Sequence, residues 1–420
     1  MNLRCLVHFS IGVFVFAMGG FAVGAPVEDD LVGPDVSMDV RALGVAQATV
    51  GRARGIDAVL TNPAALAALT DSELAAAATY RRAGLESGFG PMMHDAAMSG
   101  FRIAQFGIVH RVRMMRRVGL GFAFNEVRDL DFRSFVEGTE TRGDFRGFAI
   151  EEERETLGGV YAYTLGAGIE IAPGVRFGLS TDIWDGSRDR AIFFRGTDER
   201  RRDSSLDRVV FDDTITRFVS GTRVKAGVEL GLVPALSVGG TYIFPADIDI
   251  REEWVQRTRL TFDDGTEDTE SDRGVTDYTL RLPDELAVGA VLRLDALQLS
   301  GALRYVDWTK AEYAPAPARD VARDQFARYY SPATEVRLGA EYRLEDRAAV
   351  RAGIRIGSMP LEWKEVTQRP ITLTAGFTTP LSHMLLVDVA FLRTTWKRED
   401  GGIEESYASN RLVVGARVVF

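Results

Sequence analysis

The feature that most constrains this chain is an alternation of apolar and polar side chains that begins near residue 73 and continues to the last residue. In the stretch 335–344, Val336, Leu338 and Tyr342 fall on one face and charged or small residues fall on the other. Successive side chains of a β-strand point to opposite faces, so a period of two with one apolar face indicates a strand. About fourteen such segments are found, at 73–84, 94–113, 118–135, 155–172, 174–190, 214–232, 235–256, 275–294, 296–311, 333–344, 347–358, 368–380, 383–398 and 406–420. The pattern predicts an all-β protein.

The lengths of the connections distinguish a membrane barrel from a soluble sandwich of two sheets. Short connections, such as Pro173–Gly174 and Asp295–Ala296, alternate with longer polar ones, such as 196–213, 261–273 and 314–331. The short connections fall on the side that holds both chain ends. Outer-membrane barrels have an even number of strands, short periplasmic turns and long extracellular loops. A sandwich has no reason to sort its loops in this way, so we predict a transmembrane antiparallel β-barrel of about 14 strands in a bacterial outer membrane.

The two ends of the chain agree with an exported barrel. Residues 1–24 have the pattern of a secretory signal peptide, with Arg4 ahead of an apolar run at 11–23 and small residues at the end. The only cysteine, Cys5, lies inside this segment, so we expect no disulfide and no cysteine-ligated metal in the mature chain. The last apolar-faced strand stops on Phe420, which we expect the barrel-assembly machinery to read as an assembly signal.

Composition and motifs narrow the function classes. The formal net charge of −10 argues against nucleic acid as a partner, because phosphate backbones attract basic surfaces. The histidines of the mature chain, His94, His110 and His383, lie on separate segments, and neither G-x-S-x-G nor H-E-x-x-H occurs. The acidic run Asp263–Asp268 lacks the spacing of a known calcium loop, so we interpret it as a hydrated loop. The sequence thus predicts no enzyme activity, no metal and no cofactor.

Ahead of the strands, the stretch 41–69 is rich in small residues and contains Asn62, Pro63 and Ala64 near its end. The residue before a proline is pushed out of helical geometry, so Asn62-Pro63 indicates a turn. Small side chains let the backbone pack closely, as a segment inside a narrow lumen must. We predict that this stretch is a plug inside the barrel. The alternative is an ordinary helix at 57–69, broken by the proline and packed on a core.

The predicted organisation therefore has three parts. Residues 1–24 form the signal peptide, residues 25–72 form a periplasmic leader and the N-terminal plug, and residues 73–420 form the outer-membrane barrel.

Several local stretches resemble one family, the FadL/TodX outer-membrane transporters of long-chain fatty acids and hydrocarbons. Arg41–Gly44 followed by Asn62–Leu66 is similar to the family's N-terminal hatch, whose Asn-Pro-Ala is its best-known signature. Leu282–Leu286 leading into AVGAVLRL resembles the opening of a family strand, and Asp307-Trp308 resembles the end of the next one. The most similar stretch is RLGAEYRL at 337–344. The middle of the chain matches the family only in pattern.

This resemblance implies passive uptake of a hydrophobic small molecule through a plugged barrel, with a kink in the third strand that opens a side exit. We expect the kink near Gly121–Asn125. The same hatch motif also resembles the PorV-like barrels, so a docking or structural component in protein secretion is the alternative function. The expected partners are a hydrophobic small-molecule ligand, outer-membrane lipids and the barrel-assembly machinery, and the protein is expected to be a monomer.

Three arginines are candidates for binding the head group of an anionic ligand. By the phase of the alternation, Arg304, Arg337 and Arg355 point inward from three consecutive strands, in the upper half of the barrel. A planar guanidinium can bind both oxygens of a carboxylate. The alternative is that Glu335 and neighbouring acids already pair with these arginines in a salt-bridged lattice that lines the lumen.

Overall fold

A computed structural model of the chain describes residues 31–33, 37–89, 92–113, 117–139, 147–198, 206–315, 325–344, 347–362, 365–400 and 403–420. The predicted signal peptide, with Cys5, and most of the leader lie outside the described residues. No helix in the described ranges has both the length and the apolar character to cross a membrane.

The described residues form one closed antiparallel sheet, since β1 pairs with both β2 and β18. Its segments are β1 (Glu73–Phe89), β2 (Met92–Arg113), β3 (Arg117–Asp129), β4 (Phe132–Thr139), β5 (Ala149–Ala172), β6 (Val175–Thr197), β7 (Leu206–Val233), β8 (Leu236–Ile243), β9 (Ala246–Phe262), β10 (Glu267–Leu282), β11 (Glu285–Leu294), β12 (Leu297–Asp307), β13 (Glu312–Ala314), β14 (Pro332–Arg343), β15 (Ala349–Gly357), β16 (Glu365–Pro380), β17 (Leu385–Asp400) and β18 (Ile403–Val419).

Four pairs of segments each continue one strand across a short interruption: β3 with β4, β8 with β9, β10 with β11, and β12 with β13. The described part of the chain therefore makes a barrel of 14 strands, and the predicted fold class is confirmed. Pro245 and Pro283 lie in two of the interruptions. Proline has no N–H to donate to the ladder, which explains why pairing stops there.

The wall of the barrel is apolar outside and charged inside. Ile103, Leu179 and Leu338 are 64%, 60% and 55% exposed on the outer face, whereas Arg337, the neighbour of Leu338, is 7% exposed inside. So much exposed apolar surface is unfavourable in water but suits contact with lipid tails. The arrangement is that of a transmembrane barrel.

Several strands are longer than a membrane requires. β7 has 28 residues, whereas a tilted strand crosses the hydrocarbon core with about 9–11 residues. Beyond Asp185 on β6 and Ser220 on β7 most outward side chains are polar, with Phe218 an exception. The excess length therefore projects beyond the extracellular side of the membrane.

This projection corrects two expectations about loops. The stretch 196–213 contains the end of β6 and the start of β7, and the stretch 261–273 lies mostly within β9 and β10. Polar side chains on the outer face hid these strand ends, because outside the membrane the apolar side chains of a strand turn inward instead of towards lipid. An apolar cluster fills the projection and consists of Val136, Phe148, Ile150, Ile192, Phe194, Leu206, Val209, Phe211, Leu260 and Ile403.

The inner segment, residues 37–69, lies inside the barrel. It contains α1 (Val40–Gly44), α2 (Ile56–Leu60) and a 3-10 helix (Pro63–Ala68). The side chain of Asp39 caps α1. The 3-10 helix packs on the inward faces of β3, β5, β6 and β7. The alternative of a helix at 57–69 broken by the proline agrees with the structure in part, because helical pieces end before and begin at Pro63. Its ordinary core is replaced by the inward faces of the barrel wall.

Candidate functional site: the lumen and the inner segment

Asn62 connects two parts of the inner segment, at Val50 and at Ala64, with each other and with the barrel wall. Its amide nitrogen donates to the backbone carbonyls of Val50 (2.8 Å) and of Val228 on β7 (3.1 Å). Its carbonyl oxygen accepts from the N–H of Ala64 (3.2 Å), which caps the 3-10 helix, and Pro63 occupies the first helical position. The side chain is fully buried, so these bonds replace the ones to water that burial removes. The Asn-Pro-Ala motif thus holds the inner segment against β7.

A row of inward-facing glycines makes room for the inner segment. A Cβ atom on Gly168 would lie 2.5 Å from the carbonyl oxygen of Pro63, and one on Gly239 would lie 2.5 Å from that of Val50. These distances are shorter than real Cβ contacts, so the backbone of the inner segment can approach the wall only where a side chain is missing. The lumenal glycine row comprises Gly119, Gly121, Gly166, Gly168, Gly178, Gly227, Gly239, Gly289, Gly339, Gly353 and Gly376.

Two of the predicted head-group residues contact the inner segment through Gln47. Arg337 Nη1 donates to the backbone carbonyl of Gln47 and Arg355 Nη1 to its side-chain oxygen, both at 3.3 Å. Both arginines also face Glu335: Arg337 forms an ion pair with it, and Arg355 Nε lies 3.8 Å from Oε2. Arg355 further donates to the hydroxyl of Thr372 (3.2 Å). These arginines therefore join the wall to the extracellular surface of the inner segment.

Arg304, the third predicted head-group residue, belongs to a neighbouring ion-pair group. Its Nη2 lies 2.6 Å from Glu285 Oε2, and Arg223 Nη2 donates to Oε1 of the same carboxylate at 2.8 Å. The Arg223 guanidinium also lies over the ring of Trp184, 5.3 Å from a ring centroid. Each of the three predicted arginines thus has a carboxylate partner, and the group around Glu285 borders apolar surface.

That apolar surface fills the lumen on the extracellular side of the inner segment. α3 (Gln325–Tyr329) brings Phe326 to 5.1 Å from Tyr313 and 4.8 Å from Tyr330, measured between ring centroids. A cavity of about 80 Å³ lies where this apolar surface meets the inner segment. It is lined in part by Val127 and Ala162 of that surface and by Arg304 and Arg337. The lumenal apolar cluster comprises Leu31, Val127, Val160, Ala162, Trp184, Val219, Ile248, Ile250, Tyr278, Leu280, Leu282, Val306, Trp308, Ala311, Tyr313, Phe326, Tyr330 and Leu361.

The wall has a break between β2 and β3. The ladder between these strands ends at the pair Gln105–Asn125, although β2 continues well beyond it towards the extracellular side. A register shift follows on β3 at 126–128, just past the stretch in which we expected a kink. Arg102 on β2 spans the break: it donates to Glu126 at 2.9 Å and pairs with Asp131 at 2.5 Å. Side chains therefore hold the wall together where the ladder does not.

On the periplasmic side, the inner segment buries a carboxylate at the start of α2. Asp57 Oδ1 accepts from the hydroxyls of Thr61 (2.6 Å) and Ser37 (3.2 Å), whereas Oδ2 has no hydrogen-bond partner among the described residues. Burial, followed by the nearby charge of Asp39, raises the pKa of Asp57 to about 6. The charge state of the inner segment is therefore sensitive to pH near neutrality.

The residues considered for catalysis or metal binding lie apart. His110 Nδ1 is 2.8 Å from the hydroxyl of Ser72. His94 packs edge-on against the ring of Phe135. The backbone carbonyl of His383 accepts a hydrogen bond from Arg347 in a periplasmic turn. In the acidic run, Asp264 caps its own turn. Within the ranges that the structure describes, no three or more His, Cys, Asp or Glu side chains are grouped so as to hold a metal ion.

Comparison with known proteins finds similar folds but no similar sequence. No protein-family model and no curated protein sequence matches the chain. The toluene transporter TodX of Pseudomonas putida, however, superposes with a TM-score of 0.64 at 14% identity, over 93% of this chain and 100% of that one. A Pseudomonas aeruginosa FadL homologue gives 0.59 at 14% identity over 92% and 99%, and the CymD monoaromatic hydrocarbon channel gives 0.58 at 15% over 94% and 99%. This chain has the FadL/TodX fold.

The match extends over nearly the whole of both chains, so the resemblance drawn from a few stretches is confirmed at the level of fold. A FadL/TodX-fold barrel also agrees with the predicted outer-membrane location. The similar structures named above are a transporter, a FadL homologue and a channel, rather than enzymes.

The sequence prediction included Arg337 and Arg355, which contact the inner segment, but missed the other wall residues that face it. The glycines were not singled out, although pairs such as Gly119/Gly121 and Gly166/Gly168 share one face of a strand and thus carried a signal. Arg223, Glu285 and Arg102 were not selected either. Their roles depend on partners from distant strands, which the period of the sequence does not reveal.

Proposed function

We propose that the protein mediates passive uptake of hydrophobic small molecules, long-chain fatty acids or hydrocarbons, across the outer membrane. The lumenal apolar cluster carries this proposal. A water-filled channel has a polar interior, whereas this lumen contains the fully buried side chains of Trp184, Trp308 and Phe326 on the extracellular side of the inner segment. A chain that transports an apolar molecule needs such a surface, because the molecule must exchange one apolar environment for another. The hydrocarbon channels of the same fold agree with this assignment.

The break beside β3 supports a route out of the lumen. Val127 belongs to the lumenal apolar cluster and lies at the register shift, whereas Phe101 and Ile103, on the β2 side of the break, are 71% and 64% exposed on the outer face. Opening the ion pairs of Arg102 would connect apolar surface inside with lipid outside. We infer that the cargo leaves sideways at this break. Movement of the inner segment, acting as the plug, accompanies this exit.

A fatty acid additionally needs a partner for its carboxylate. Burying about fifteen methylenes contributes at most about 12 kcal/mol, at about 0.8 kcal/mol each, and an unpaired carboxylate cancels several of these. Arg304 and Arg337 line the small cavity between the lumenal apolar cluster and the inner segment. We propose that a ligand carboxylate binds there by exchanging with Glu285 or Glu335, whereas a neutral hydrocarbon does not need the exchange.

The test compares two cargoes in one variant. Arg304→Ala combined with Arg337→Ala is expected to weaken uptake of a labelled long-chain fatty acid several-fold and to spare a neutral hydrocarbon of similar length. Arg257→Ala with Arg259→Ala, two exposed residues on the extracellular part of β9, is the matched control. Equal loss for both cargoes would indicate a folding defect. No loss for either would leave the arginines as part of the ion-pair lattice.

The same proposal covers the molecules with which the protein interacts. The protein acts as a monomer surrounded by outer-membrane lipids, and the barrel-assembly machinery inserts it. Mass spectrometry of protein purified in mild detergent should detect retained hydrophobic molecules. Recovery of a large protein partner with an empty lumen would instead favour the docking role in protein secretion.

A further inference from the structure

A row of outward-facing side chains crosses four neighbouring strands on the extracellular half of the barrel. It consists of Arg393 on β17, Asn410 on β18, Arg82 on β1 and Ser99 on β2, which are successive cross-strand partners. Both arginines are exposed on the outer face. Neighbouring strands lie about 4.8 Å apart, so the Cα atoms of the two arginines are about 10 Å from each other. We call these four residues the outer arginine row.

The outer arginine row lies directly above the surface that faces lipid tails. On the same strands, the outward residues one row nearer the periplasm are large, hydrophobic and exposed: Phe391, Leu412, Tyr80 and Phe101. The outward residues one row further out are small or uncharged: Thr395, Ala408, Gly84 and Ala97. A barrel in the outer membrane presents its apolar band to lipid tails and has aromatic residues at the edge of that band. The outer arginine row therefore lies at the depth of the lipid head groups in the outer leaflet.

The charge of the row is not balanced by acids at the same depth. Arg82 and Arg393 are the only charged residues in the three rows. Arg393 Nη1 donates to the side-chain oxygen of Asn410 at 3.3 Å, and neither arginine has a carboxylate partner among the described residues. The first acids further out on the outer face of these strands are Glu86 and Asp95. They lie two rows beyond the arginines, about 13 Å along the strands.

Another part of the wall carries acids where the apolar surface ends. The row across β6, β7, β9 and β10 consists of Asp185, Ser220, Asp249 and Thr279, which are also successive cross-strand partners. The exposed Arg281 on β10 forms ion pairs with Asp247 at 2.8 Å and Glu312 at 2.6 Å, so its charge is neutralised. An anionic head group is repelled by this acidic row and attracted by the outer arginine row.

We propose that the outer arginine row binds the phosphate group of an outer-leaflet lipid, whose acyl chains lie on the hydrophobic row below it. Guanidinium groups bind phosphate oxygens through paired N–H donors, and two of them about 10 Å apart can hold one phosphate group between them. Basic residues at a membrane surface attract anionic head groups. The site lies on the outside of the barrel. It therefore requires the outer-membrane location but does not depend on which cargo the lumen carries.

The primary experiment is a titration of the full barrel, purified in mild detergent and freed of bound lipid, with diphosphorylated lipid A at fixed ionic strength. Native mass spectrometry measures the bound fraction, and we expect one saturable site per barrel. Arg82→Gln combined with Arg393→Gln should weaken the affinity at least about tenfold, because both phosphate contacts are lost. Arg257→Gln with Arg259→Gln, two exposed residues of β9 away from the row, should leave it unchanged. Heat-modifiable migration on detergent gels shows that each variant is folded.

A second probe separates the phosphate group from the acyl chains. Dephosphorylated lipid A should bind the native barrel at least about tenfold more weakly, and the double arginine variant should not distinguish the two lipids. Equal affinity of the native barrel for both lipids, or an equal loss in the two double variants, overturns the proposal. Inorganic phosphate at the same concentration should not displace lipid A, because it has no acyl chains. Displacement would assign the row to a free solute and contradict the lipid site.

Discussion

At the scale of single residues, two buried polar side chains in the inner segment act in opposite ways. Asn62 is fully buried and its amide group bonds to the segment and to the wall. Asp57 is also buried, but one of its carboxylate oxygens has no partner among the described residues. A buried amide whose hydrogen bonds are satisfied stabilises the segment in its place. A buried carboxylate with an unsatisfied oxygen destabilises the segment there.

The raised pKa of Asp57 makes the seating of the inner segment dependent on pH. The pKa is about 6 in the folded protein, against an ordinary value of 3.8, so the seated segment holds the proton more tightly than a released one. The stabilisation by protonation is complete below the ordinary value and is lost as the pH rises through about 6. We therefore expect a lower ion conductance in planar bilayers at pH 5 than at pH 7.5, equivalent to a free-energy difference on the order of 1 kcal/mol.

The control for this prediction is Asp57→Asn, which keeps the shape and removes the titration. The groups around the carboxylate are Asp39 and the hydroxyls of Ser37, Thr49 and Thr61. If the variant keeps the full pH dependence, the titrating group is a different one.

At the scale of elements, the fit between the inner segment and the lumenal glycine row decides whether the lumen is closed. Deleting residues 40–69 should leave a folded barrel with raised ion conductance, because the strand ladder does not include them. Gly168→Val should act in the same direction, since its Cβ would lie 2.5 Å from the carbonyl oxygen of Pro63. Gly240→Val is the matched control, because a Cβ there meets no atom nearer than 3.5 Å. Unchanged conductance in the deletion would mean that the segment is not a plug.

At the scale of the whole molecule, the barrel closes at the two ends of its own sheet. β1 pairs with β18 along its full length, and Ser72 and Phe420 exchange two backbone hydrogen bonds of 3.0 Å. Closure removes the free edges that an open sheet would present to lipid. The last residue is therefore part of the seam that completes the barrel.

We expect the unboiled protein to migrate anomalously on a detergent gel, because closed barrels resist detergent. Deleting Phe420 should reduce the fraction that shows this migration, since the closing strand loses its last residue and its assembly signal. The measurement is the ratio of the two bands before and after boiling. Full solubility of the mature chain without detergent would contradict the membrane barrel itself.

Much of the fold follows from the sequence because each strand, independently of the others, must present apolar side chains to lipid on its outer face. A strand with lipid outside and charge inside must alternate with period two, and Leu338 beside Arg337 shows this without reference to any other strand. The turn at Asn62-Pro63 is local in the same sense, since proline restricts its own neighbours. The number of strands and the presence of a small-residue segment were therefore accessible from the chain alone.

Only the tertiary structure decided which side chains meet. Glu285 is shared by Arg223 and Arg304, which lie on different strands on either side of it. Arg337 reaches Gln47 across 290 positions of sequence. Such pairs depend on the register of every strand between them, and a shift by one residue would turn each side chain to the other face. The sequence alone determined that a charged lumen surrounds a small-residue segment, whereas closure of the barrel decided which of the charges are paired.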